Sequence, residues 1–190
     1  MAWPSDRKQK TRQQILQSAA ALFTAKGFDA VSITDVMKHA GLTHGAFYAH
    51  FASKTELYQH AIYTAGELSA HAHGLYQRDL RDAVHSYLSV QHSCQRMPAC
   101  PLAYLVTDVA AKDQAVQSAY SDVFQGFVKL LAAPRQGTTT TQPAALAALM
   151  IGGLAIARTM PDPTQAQTLL DACRSAADLL LANQSTEQSC

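Results

Sequence analysis

The 190-residue sequence is poor in the features that mark fibrous, secreted and membrane proteins. Its nine glycines and seven prolines are too few for a fibrous or disordered chain. Its four cysteines, Cys94, Cys100, Cys173 and Cys190, lack CxxC spacing, so we expect free thiols in a reducing compartment. The amino terminus is polar and basic, and the longest apolar run, residues 144–157, is too short to span a bilayer. The sequence therefore predicts a cytoplasmic protein without a membrane segment.

The sequence motifs of common enzymes are also missing. There is no GxSxG elbow, no glycine-rich phosphate loop and no HExxH pair. His71 and His73 are two residues apart and do not share a helix face, so we expect surface positions and no metal site. The sequence thus predicts a protein that is not an enzyme, with no catalytic residues, no cofactor and no metal.

Charge is nearly balanced overall but unevenly distributed along the chain. The whole sequence has 15 lysines and arginines against 14 acidic residues. Residues 1–60 contain seven of the basic residues and only four of the acidic ones, so the excess positive charge lies at the amino-terminal end. A basic end on a mildly acidic remainder is the layout expected of a DNA-binding domain joined to a regulatory domain.

The stretch SITDVMKHAGLTHGAFYAHFASKTE, residues 32–56, predicts a helix-turn-helix. Ser32 and Asp35 form a capping box at the start of the first helix, and Gly41 is suited to the left-handed residue that ends it. Thr43 then begins a second helix after a very short turn. Such a turn holds two helices at a steep angle, which is the geometry of a DNA-binding helix-turn-helix.

The residues of the second helix divide into an inner and an outer face. Phe47 and Phe51 are four residues apart, so both can pack against the first helix. The outer face is small and nearly uncharged, which allows close approach to base edges in the major groove. The alternative is a helical hairpin inside an ordinary core. The predicted DNA-binding residues are Thr34, Thr43, His44, Gly45, Ala46, Tyr48, His50 and Lys54.

These residues resemble the amino-terminal domain of the TetR/AcrR family of bacterial repressors. The resemblance rests on AKGFDAVS followed by TDVMKHAGLTHGAFYAHFASKTEL, and it covers about the first quarter of the chain. It implies an all-α homodimer of about nine helices. Residues 1–52, here called the head, would be a three-helix DNA-binding domain, and residues 53–190, here called the body, a helical ligand-binding and dimerisation domain. Members of this family usually lose DNA affinity when a small molecule binds.

Two helices connect these features to the rest of the chain. Capping by Thr11 predicts a first helix that ends at Lys26 before Gly27, with Phe28 packed on Phe23. The basic residues Lys8, Lys10 and Arg12 are expected in a flexible arm that reaches DNA, or simply in a solubilising terminus. Ser53 and Glu56 cap a third helix that runs to near Gly74 and links head to body.

The middle of the body predicts a small-molecule pocket. Three helices are expected, one from Asp79 to about Cys94, one beginning at Pro101, and one capped by Asp113 that reaches Ala133. Their apolar and aromatic content, with tyrosine hydroxyls, suits a mostly hydrophobic ligand site, although a solid core is equally consistent. The predicted ligand or sensor residues are Cys100, Tyr87, Tyr104, Tyr120 and Phe124.

The last two helices predict a homodimer interface. Small residues recur at helical spacing in residues 143–160, at Ala145, Ala148, Gly152 and Ala155, and the final helix repeats the stripe with Leu169, Cys173, Ala176 and Leu180. Two such stripes on each subunit can pair as a four-helix interface. Burial within one chain is the alternative.

Cys100 suggests a second function, because it stands in MPACPL just before a helix begins. The positive end of the helix dipole would favour its thiolate, the form that electrophiles and oxidants attack. An inert buried cysteine is the simpler interpretation. Three hypotheses therefore stay open: a repressor that releases a palindromic operator when an unknown small molecule binds, a thiol sensor acting through Cys100, and a DNA-binding protein that responds to no ligand.

Overall fold

The computed structural model describes residues 4–94, 98–133 and 140–182, and all regular structure in these ranges is helical. This confirms the predicted all-α fold; Cys190 lies outside the described residues. The head contains α1 (Pro4–Lys26), α2 (Ile33–His39) and a 3₁₀ helix (His44–Ala49), here called the recognition helix. The body contains α3 (Lys54–Ala72), α4 (Leu80–Tyr87), α5 (Val90–Ser93), α6 (Pro101–Tyr104), α7 (Val106–Ala110), α8 (Gln114–Ala132), α9 (Pro143–Ala157) and α10 (Pro163–Ala182).

Side chains cap the helices where the sequence predicts caps. The Ser32 hydroxyl accepts a hydrogen bond from the Asp35 N–H at 3.1 Å, and the Asp35 carboxylate accepts from the Ser32 N–H at 2.9 Å. At the start of α3, Ser53 accepts from the Glu56 N–H at 3.0 Å, but the Glu56 carboxylate returns to the Ala52 N–H at 2.6 Å rather than to Ser53. Such caps satisfy backbone donors that a helix leaves free, so they define where each helix begins.

Glycine ends three of these helices in the left-handed conformation. Gly27, Gly41 and Gly74 have φ angles of 78°, 68° and 72°. Other residues rarely adopt these angles, so the chain reverses where the sequence predicts that α1 and α2 end. Phe28 then packs on Phe23, with ring centroids 6.0 Å apart, as predicted.

The first helix begins earlier than predicted. It starts at Pro4, and the Thr11 hydroxyl donates to the Arg7 carbonyl at 2.9 Å within the helix instead of capping it. Proline is well suited to the first turn of a helix, because that turn needs no N–H donor. Lys8, Lys10 and Arg12 therefore lie on a helix, and the expectation of a flexible arm is wrong.

The described residues contain eleven helical segments where about nine were expected. The predicted helix from Asp79 is interrupted at Leu88 and Ser89, where Ser89 caps a new turn through the His92 N–H. The helix that begins at Pro101 is interrupted at Leu105, whose φ of −116° is not helical. These breaks make α4 to α7 short segments, in contrast to the long helices α3, α8, α9 and α10.

Buried apolar residues form two clusters. The first joins α1, α2 and the recognition helix to the amino-terminal half of α3, and also takes in Leu105, Val109 and Val116. The second lies within the body, between α3, α4, α6, α8, α9 and α10. The first cluster thus crosses the predicted domain boundary at residue 52, and the boundary itself stays a prediction. None of the helices in the described ranges is long and apolar enough to cross a bilayer.

Candidate nucleic-acid interface and effector cavity

The recognition helix has 3₁₀ rather than α geometry over its six residues. Its bonds connect residues three apart, from the Ala46 N–H to the Thr43 carbonyl at 3.1 Å and from the His50 N–H to the Phe47 carbonyl at 2.9 Å. Thr43 stands at the N-cap, but its side chain makes no capping bond. The segment contains a glycine and several aromatic residues, which have modest helix propensity, and it is short, which favours the tighter 3₁₀ turn.

Burial divides the recognition helix as predicted. Phe47 and Phe51 are buried and their ring centroids lie 5.8 Å apart, which anchors the helix to the head core. Tyr48 is 64% exposed and its ring meets the edge of the His44 ring at 5.8 Å. Gly45 is also exposed, and an added Cβ there would contact nothing within 4 Å. The outward surface is therefore small, uncharged and flanked by two aromatic rings.

The other predicted DNA-binding residues surround this surface with different exposures. Thr34 and Thr43 are exposed, and Ala46 is half-buried. His50 is half-buried, and burial lowers its pKa, with the nearby charges of Lys8 and Arg12 acting in the same direction. His50 is therefore neutral at physiological pH.

Lys54, the last predicted DNA-binding residue, packs against the head itself. Its ammonium lies 4.1 Å from the centroid of the Phe28 ring, a cation–π contact. The Lys112 ammonium, from the segment between α7 and α8, lies 4.9 Å from the same centroid. The Phe28 ring therefore makes cation–π contacts with two lysines from separate segments of the chain.

A polar joint connects the head to α7. The Asp108 carboxylate accepts a short hydrogen bond from the Tyr58 hydroxyl and longer ones from the Phe28 N–H at 3.4 Å. Lys112 stands 3.8 Å from Asp108 and 2.7 Å from Asp29. Burial and the Asp108 carboxylate raise the pKa of Tyr58, so its hydroxyl remains a donor. This joint could not be predicted from local sequence patterns, because Asp108 is 80 residues from Phe28.

A cavity of about 430 Å³ lies in the body between α3, the residues after it, α6 and α8. Its apolar wall is formed by Ala70, Leu75, Leu102, Val123, Phe127 and Leu130, and its more polar positions by Tyr63, Glu67, Ser69, Tyr76, Cys100, Asp122 and Lys129. A concave, mostly apolar site of this volume suits a small organic molecule.

Two mid-helix glycines shape the cavity. A Cβ added at Gly66 of α3 would stand 2.8 Å from a Val123 methyl, so Gly66 lets α3 and α8 approach each other closely. A Cβ added at Gly126 of α8 would contact nothing within 4 Å. Glycine is costly inside a helix, so these two positions were the available sequence signal for the cavity.

Only one of the predicted ligand residues lines this cavity. Cys100 does, whereas Tyr87, Tyr104, Tyr120 and Phe124 lie outside its wall. The Tyr104 hydroxyl donates to the His92 carbonyl at 2.5 Å, and the Tyr120 hydroxyl donates to the Leu102 carbonyl at 2.6 Å. Both hydroxyls thus hold the backbone that surrounds the cavity.

Cys100 stands at the N-cap of α6, as predicted, but its chemistry differs from the expectation. The thiol is buried, and burial raises its pKa despite the opposing effect of the Tyr87 hydroxyl. The helix that follows has four residues, too few for a strong dipole, so the desolvation cost of the thiolate is larger. The expectation of a favoured thiolate is therefore wrong.

Behind Cys100 lies a buried group of polar rings. His73 is fully buried, so the expectation that it lies at the surface is wrong, and its ring centroid is 4.0 Å from that of His92. His92 Nδ1 contacts the Tyr87 carbonyl at 2.8 Å, and Nε2 accepts from the Cys100 N–H at 3.3 Å, which makes the imidazole neutral. Burial lowers the pKa of His73 to about 4 and that of His92 to about 3.

Three side-chain atoms in this buried region have no hydrogen-bond partner of standard geometry among the described residues. They are the Ser69 Oγ, the His73 Nε2 and the Tyr87 hydroxyl oxygen. The Cys100 thiol is close enough to both hydroxyls for them to lower its pKa, but this contact does not satisfy either hydroxyl. A buried polar group without a partner is unusual in a folded protein.

Most of the predicted dimer stripe on α9 is left uncovered by the described residues, but Ala155 is half-buried and packs against the body cluster. Ala145 and Ala148 are exposed, and a Cβ added at Gly152 would contact nothing within 4 Å. Ile156 of α9 and Leu179 of α10 are 53% and 69% exposed. The other five residues define the α9–α10 face, which is apolar and open in the single chain.

On α10, one residue of the predicted stripe points elsewhere. Cys173 is buried, and a Cβ added at Gly153 would stand 2.6 Å from its Sγ. Cys173 therefore packs against α9 within the chain, because the adjacent small residue leaves room for its sulfur. Its placement in the outward stripe was wrong, whereas Leu169, Ala176 and Leu180 are half-buried.

A second helix whose outer face is exposed, set across a short turn from the first, is the arrangement of a DNA-binding helix-turn-helix. Residues 15–61 match the family model of bacterial regulatory proteins of the tetR family. The chain therefore carries a TetR-family amino-terminal domain.

Two relatives match over stretches of 50 and 63 residues. The HTH-type transcriptional regulator AcrR of Shigella flexneri is 44% identical over 50 residues, 26% of this chain and 23% of that protein. The HTH-type transcriptional regulator TtgR of Pseudomonas putida is 36% identical over 63 residues, 33% of this chain and 30% of that protein. These matches span about a quarter to a third of the relatives' length.

Solved structures resemble the chain over nearly its whole length. The reduced form of Escherichia coli NemR has a TM-score of 0.69 at 20% identity, covering 90% of this chain and 97% of that one. A TetR-family transcriptional regulator from Cytophaga hutchinsonii has a TM-score of 0.70 at 18% identity, covering 93% and 97%. At these identities the likeness establishes the fold, so the body has the architecture found in TetR-family proteins.

Proposed function

We propose that this protein is a transcriptional repressor that binds a palindromic operator as a homodimer and releases it when a small molecule fills the cavity. The observation that carries the proposal is the exposed, uncharged surface of the recognition helix on a TetR-family domain. His44, Gly45 and Ala46 are at the amino-terminal end of that helix, the end that contacts bases in a helix-turn-helix. Tyr48 stands beside them and is suited to a phosphate.

Operator binding tests the recognition surface. We expect Tyr48→Ala to weaken binding by about 1 to 3 kcal/mol on every operator sequence, because a phosphate contact carries no base information. Tyr76→Ala removes another exposed tyrosine, 44% exposed and in the cavity wall of the body, and is the control when the titration is run without any effector. The measurement is a gel-shift titration with the intergenic DNA beside the protein's own gene. Unchanged affinity in Tyr48→Ala would show that the assigned surface is wrong.

Base preference separates the remaining head residues. Substitutions at His44, Gly45 or Ala46 should change which bases are preferred, at about 1 to 3 kcal/mol for each good base contact. Thr34, Thr43, His50 and Lys54 should contribute to affinity on all sequences alike. Selection of binding sites from a random DNA pool would reveal both effects, and a protein without operator selectivity would contradict the repressor hypothesis.

The α9–α10 face supports a homodimer, because an open apolar surface on two neighbouring helices is suited to pairing with a second copy. Gly152→Leu should leave the subunit folded, since among the described residues nothing beyond its own stretch of helix lies within 4 Å of the added Cβ. It should weaken dimerisation by about 1 to 3 kcal/mol through overpacking. Gly153→Leu is the control and should instead destabilise the subunit, because Cys173 occupies that space.

Light scattering and chemical denaturation distinguish these two glycine variants. We expect Gly152→Leu to dissociate at concentrations where the unchanged protein is a dimer. At low concentration, where both proteins are monomers, their denaturant midpoints of unfolding should be equal. A dimer of undiminished stability in Gly152→Leu would place the interface elsewhere.

Release of DNA can be transmitted through α6 and α7. Cys100 and Leu102 border the cavity, and Asp108 in the next helix accepts hydrogen bonds from Tyr58 of α3 and from Phe28 of the head. A ligand that displaces α6 would therefore move the residue that fixes the orientation of the head. The linker helix α3 supplies a second route, because it contributes to the cavity and to both apolar clusters.

A thiol sensor acting through Cys100 is the second candidate, favoured by the position of that thiol in the cavity wall. An electrophile in the cavity would add to the sulfur, with loss of the thiol proton, and occupy the same space as a ligand. Release of operator DNA by a quinone in the original protein but not in Cys100→Ser would support this candidate. Equal sensitivity of the two proteins would leave a reversible ligand as the effector.

A further inference from the structure

The mouth of the cavity carries more negative than positive charge. Glu67 and Asp122 contribute two carboxylates, and Lys129 contributes one ammonium. Glu67 and Asp122 lie next in sequence to Gly66 and Val123, which meet where α3 and α8 cross, so the two carboxylates flank one contact point. Lys129 is seven residues beyond Asp122 on α8, about 10 Å along the helix. A cation bound between the carboxylates would therefore be well separated from Lys129.

Two tyrosines accompany these carboxylates. Tyr63 and Tyr76 line the cavity and are partly exposed, and the Tyr63 hydroxyl donates to the Asp122 carboxylate at 2.7 Å. That bond uses one oxygen of Asp122 and leaves the other available. Burial, with the charge of Glu67 adding to it, raises the pKa of Tyr76, so the ring stays neutral and Glu67 is close to it. Aromatic faces beside carboxylates attract organic cations.

The inner wall of the cavity contains a hydroxyl that a ligand would have to hydrogen-bond. Ser69 lines the cavity and is 2% exposed, and its Oγ has no hydrogen-bond partner of standard geometry among the described residues. The surfaces between this hydroxyl and the mouth are apolar, with Leu102, Val123 and Phe127 among them. A ligand that filled the cavity would leave Ser69 unsatisfied unless it brought a polar atom to it.

We infer that the effector is an amphipathic organic cation with an apolar or aromatic body and a hydrogen-bonding group at the end opposite its charge. The inference rests on the proposed role of the cavity as the effector site. Its charge lies at the mouth between Glu67 and Asp122, its body contacts the apolar wall, and its hydrogen-bonding group meets Ser69.

Three probes of similar shape test the charge. They are the (6-hydroxynaphthalen-2-yl)methyl-trimethylammonium cation, neutral 6-(hydroxymethyl)-2-naphthol and the 6-hydroxy-2-naphthylacetate anion, each titrated into the full-length protein by calorimetry. We expect the cation to bind at least tenfold more tightly than the anion. In the double variant Glu67→Gln, Asp122→Asn the affinity for the cation should fall about three- to tenfold, because both carboxylates are exposed and screened.

The neutral probe is the control for the double variant, and its affinity should not change. Lys129→Gln is the control of opposite charge and should leave the affinity for the cation equal or slightly higher. An anion that binds as tightly as the cation, or a double variant that binds the cation undiminished, would overturn the inference about charge.

A second variant tests the inner end. Ser69→Ala should lower the affinity for the hydroxylated cation about two- to tenfold, the range of one hydrogen bond, and leave (naphthalen-2-yl)methyl-trimethylammonium unaffected. The fold should not suffer, since the change removes a hydroxyl without a standard partner. Equal loss with both cations, or loss with neither, would overturn the assignment of Ser69.

Gly126→Leu tests whether the probes bind in this cavity. Operator release and operator binding then distinguish this inference from the proposed function. A leucine at Gly126 has room to enter the cavity, so binding of all probes should be lost; undiminished binding would overturn the inference. If the protein releases operator DNA with an anionic or neutral compound and not with the cation, the inference fails and the repressor stands. If the cation binds with the predicted pattern but no operator is bound, the proposed function fails and the ligand class stands.

Discussion

The head and the body bury aromatic residues in two different ways. Where the head meets α3, the Phe23, Phe28 and Tyr58 rings pack together with centroids 4.8 to 6.0 Å apart, and the Tyr58 hydroxyl donates to Asp108. In the body, the Tyr87, His73 and His92 rings pack as closely, but the hydroxyl of Tyr87 and the Nε2 of His73 lack standard partners. Only His50 Nδ1 in the described head residues shares this condition.

The difference agrees with the roles that we propose for the two regions. A surface that contacts DNA must keep one shape, and a core whose apolar and polar groups are all satisfied maintains it. A ligand-binding region needs empty volume and polar atoms that a ligand can satisfy. The body contains both, next to α3 and α6, while its remaining helices pack as an ordinary core.

The largest expected effect compares one phenylalanine from each region. Phe47→Ala removes a fully buried ring from the head and should cost about 3 to 5 kcal/mol of unfolding free energy and abolish DNA binding. Phe127→Ala should cost less, about 1 to 3 kcal/mol, because that ring already borders the cavity and has fewer contacts to lose. Urea denaturation of both variants measures the difference. Equal losses would mean that the cavity does not loosen the body core.

Two carboxylates that accept tyrosine hydroxyls provide a finer comparison. Asp108→Ala should cost about 1 to 3 kcal/mol, because it leaves the buried Tyr58 hydroxyl and the Phe28 N–H without a partner. Asp122→Ala breaks the exposed contact to Tyr63 and should change stability by less than about 0.5 kcal/mol. Thermal and chemical denaturation of the pair test this. A small effect in Asp108→Ala would mean that the joint contributes little to holding the head.

The last comparison concerns pH and the buried imidazoles of the body, whose effect within one pH unit is modest and accumulates only on strong acidification. His73 and His92 have pKa values of about 4 and about 3 when folded, below the unfolded value of 6.5. Between pH 6.5 and pH 4 the unfolded chain therefore binds more protons, so stability present at neutral pH is lost as pH falls. The slope is about 1.4 kcal/mol per pH unit for each imidazole in the steepest part.

Single substitutions identify the source of that slope. His73→Asn should flatten the decline in stability between pH 6.5 and pH 4, whereas His71→Ala, at an exposed position of the same helix, should leave it as it is. Denaturant midpoints at several pH values give the slope. The lowered pKa values of His50 and His60 contribute to the same decline in every variant, whereas those of Asp29, Asp35 and Asp171 act mainly near and below their ordinary value of 3.8. An unchanged slope in His73→Asn would contradict the prediction.

The head was more predictable than the body because its signals are local. The Ser32 and Asp35 capping box, Gly41 and the Phe47–Phe51 spacing each act within a few residues, and the structure contains all of them. The body was predicted as long helices, and its breaks at Leu88 and Leu105 were missed. Ser89, which caps the turn after the first break, was a local signal for it, whereas Leu105 follows ordinary helix-forming residues and no local signal marks the second break.

The site residues of the head were likewise more predictable than those of the body. The exposed face of the recognition helix follows from helical spacing, although its 3₁₀ geometry does not. The choice of tyrosines for the cavity failed, since Tyr63 and Tyr76 line it and Tyr87, Tyr104 and Tyr120 do not. All five are aromatic residues on helices or next to them, and composition cannot say which of them borders empty space.

Helix starts, helix ends and the inner and outer sides of each helix depend on neighbours within one or two turns, so the amino-acid sequence determines them directly. The all-α fold and the helix-turn-helix followed from these local rules. The raised pKa of the Cys100 thiol, the Asp108 joint between residues 80 positions apart, and the cavity between α3 and α8 depend on distant segments meeting. Desolvation, long-range hydrogen bonds and empty volume are properties of packed helices, and they exist only once the chain has folded.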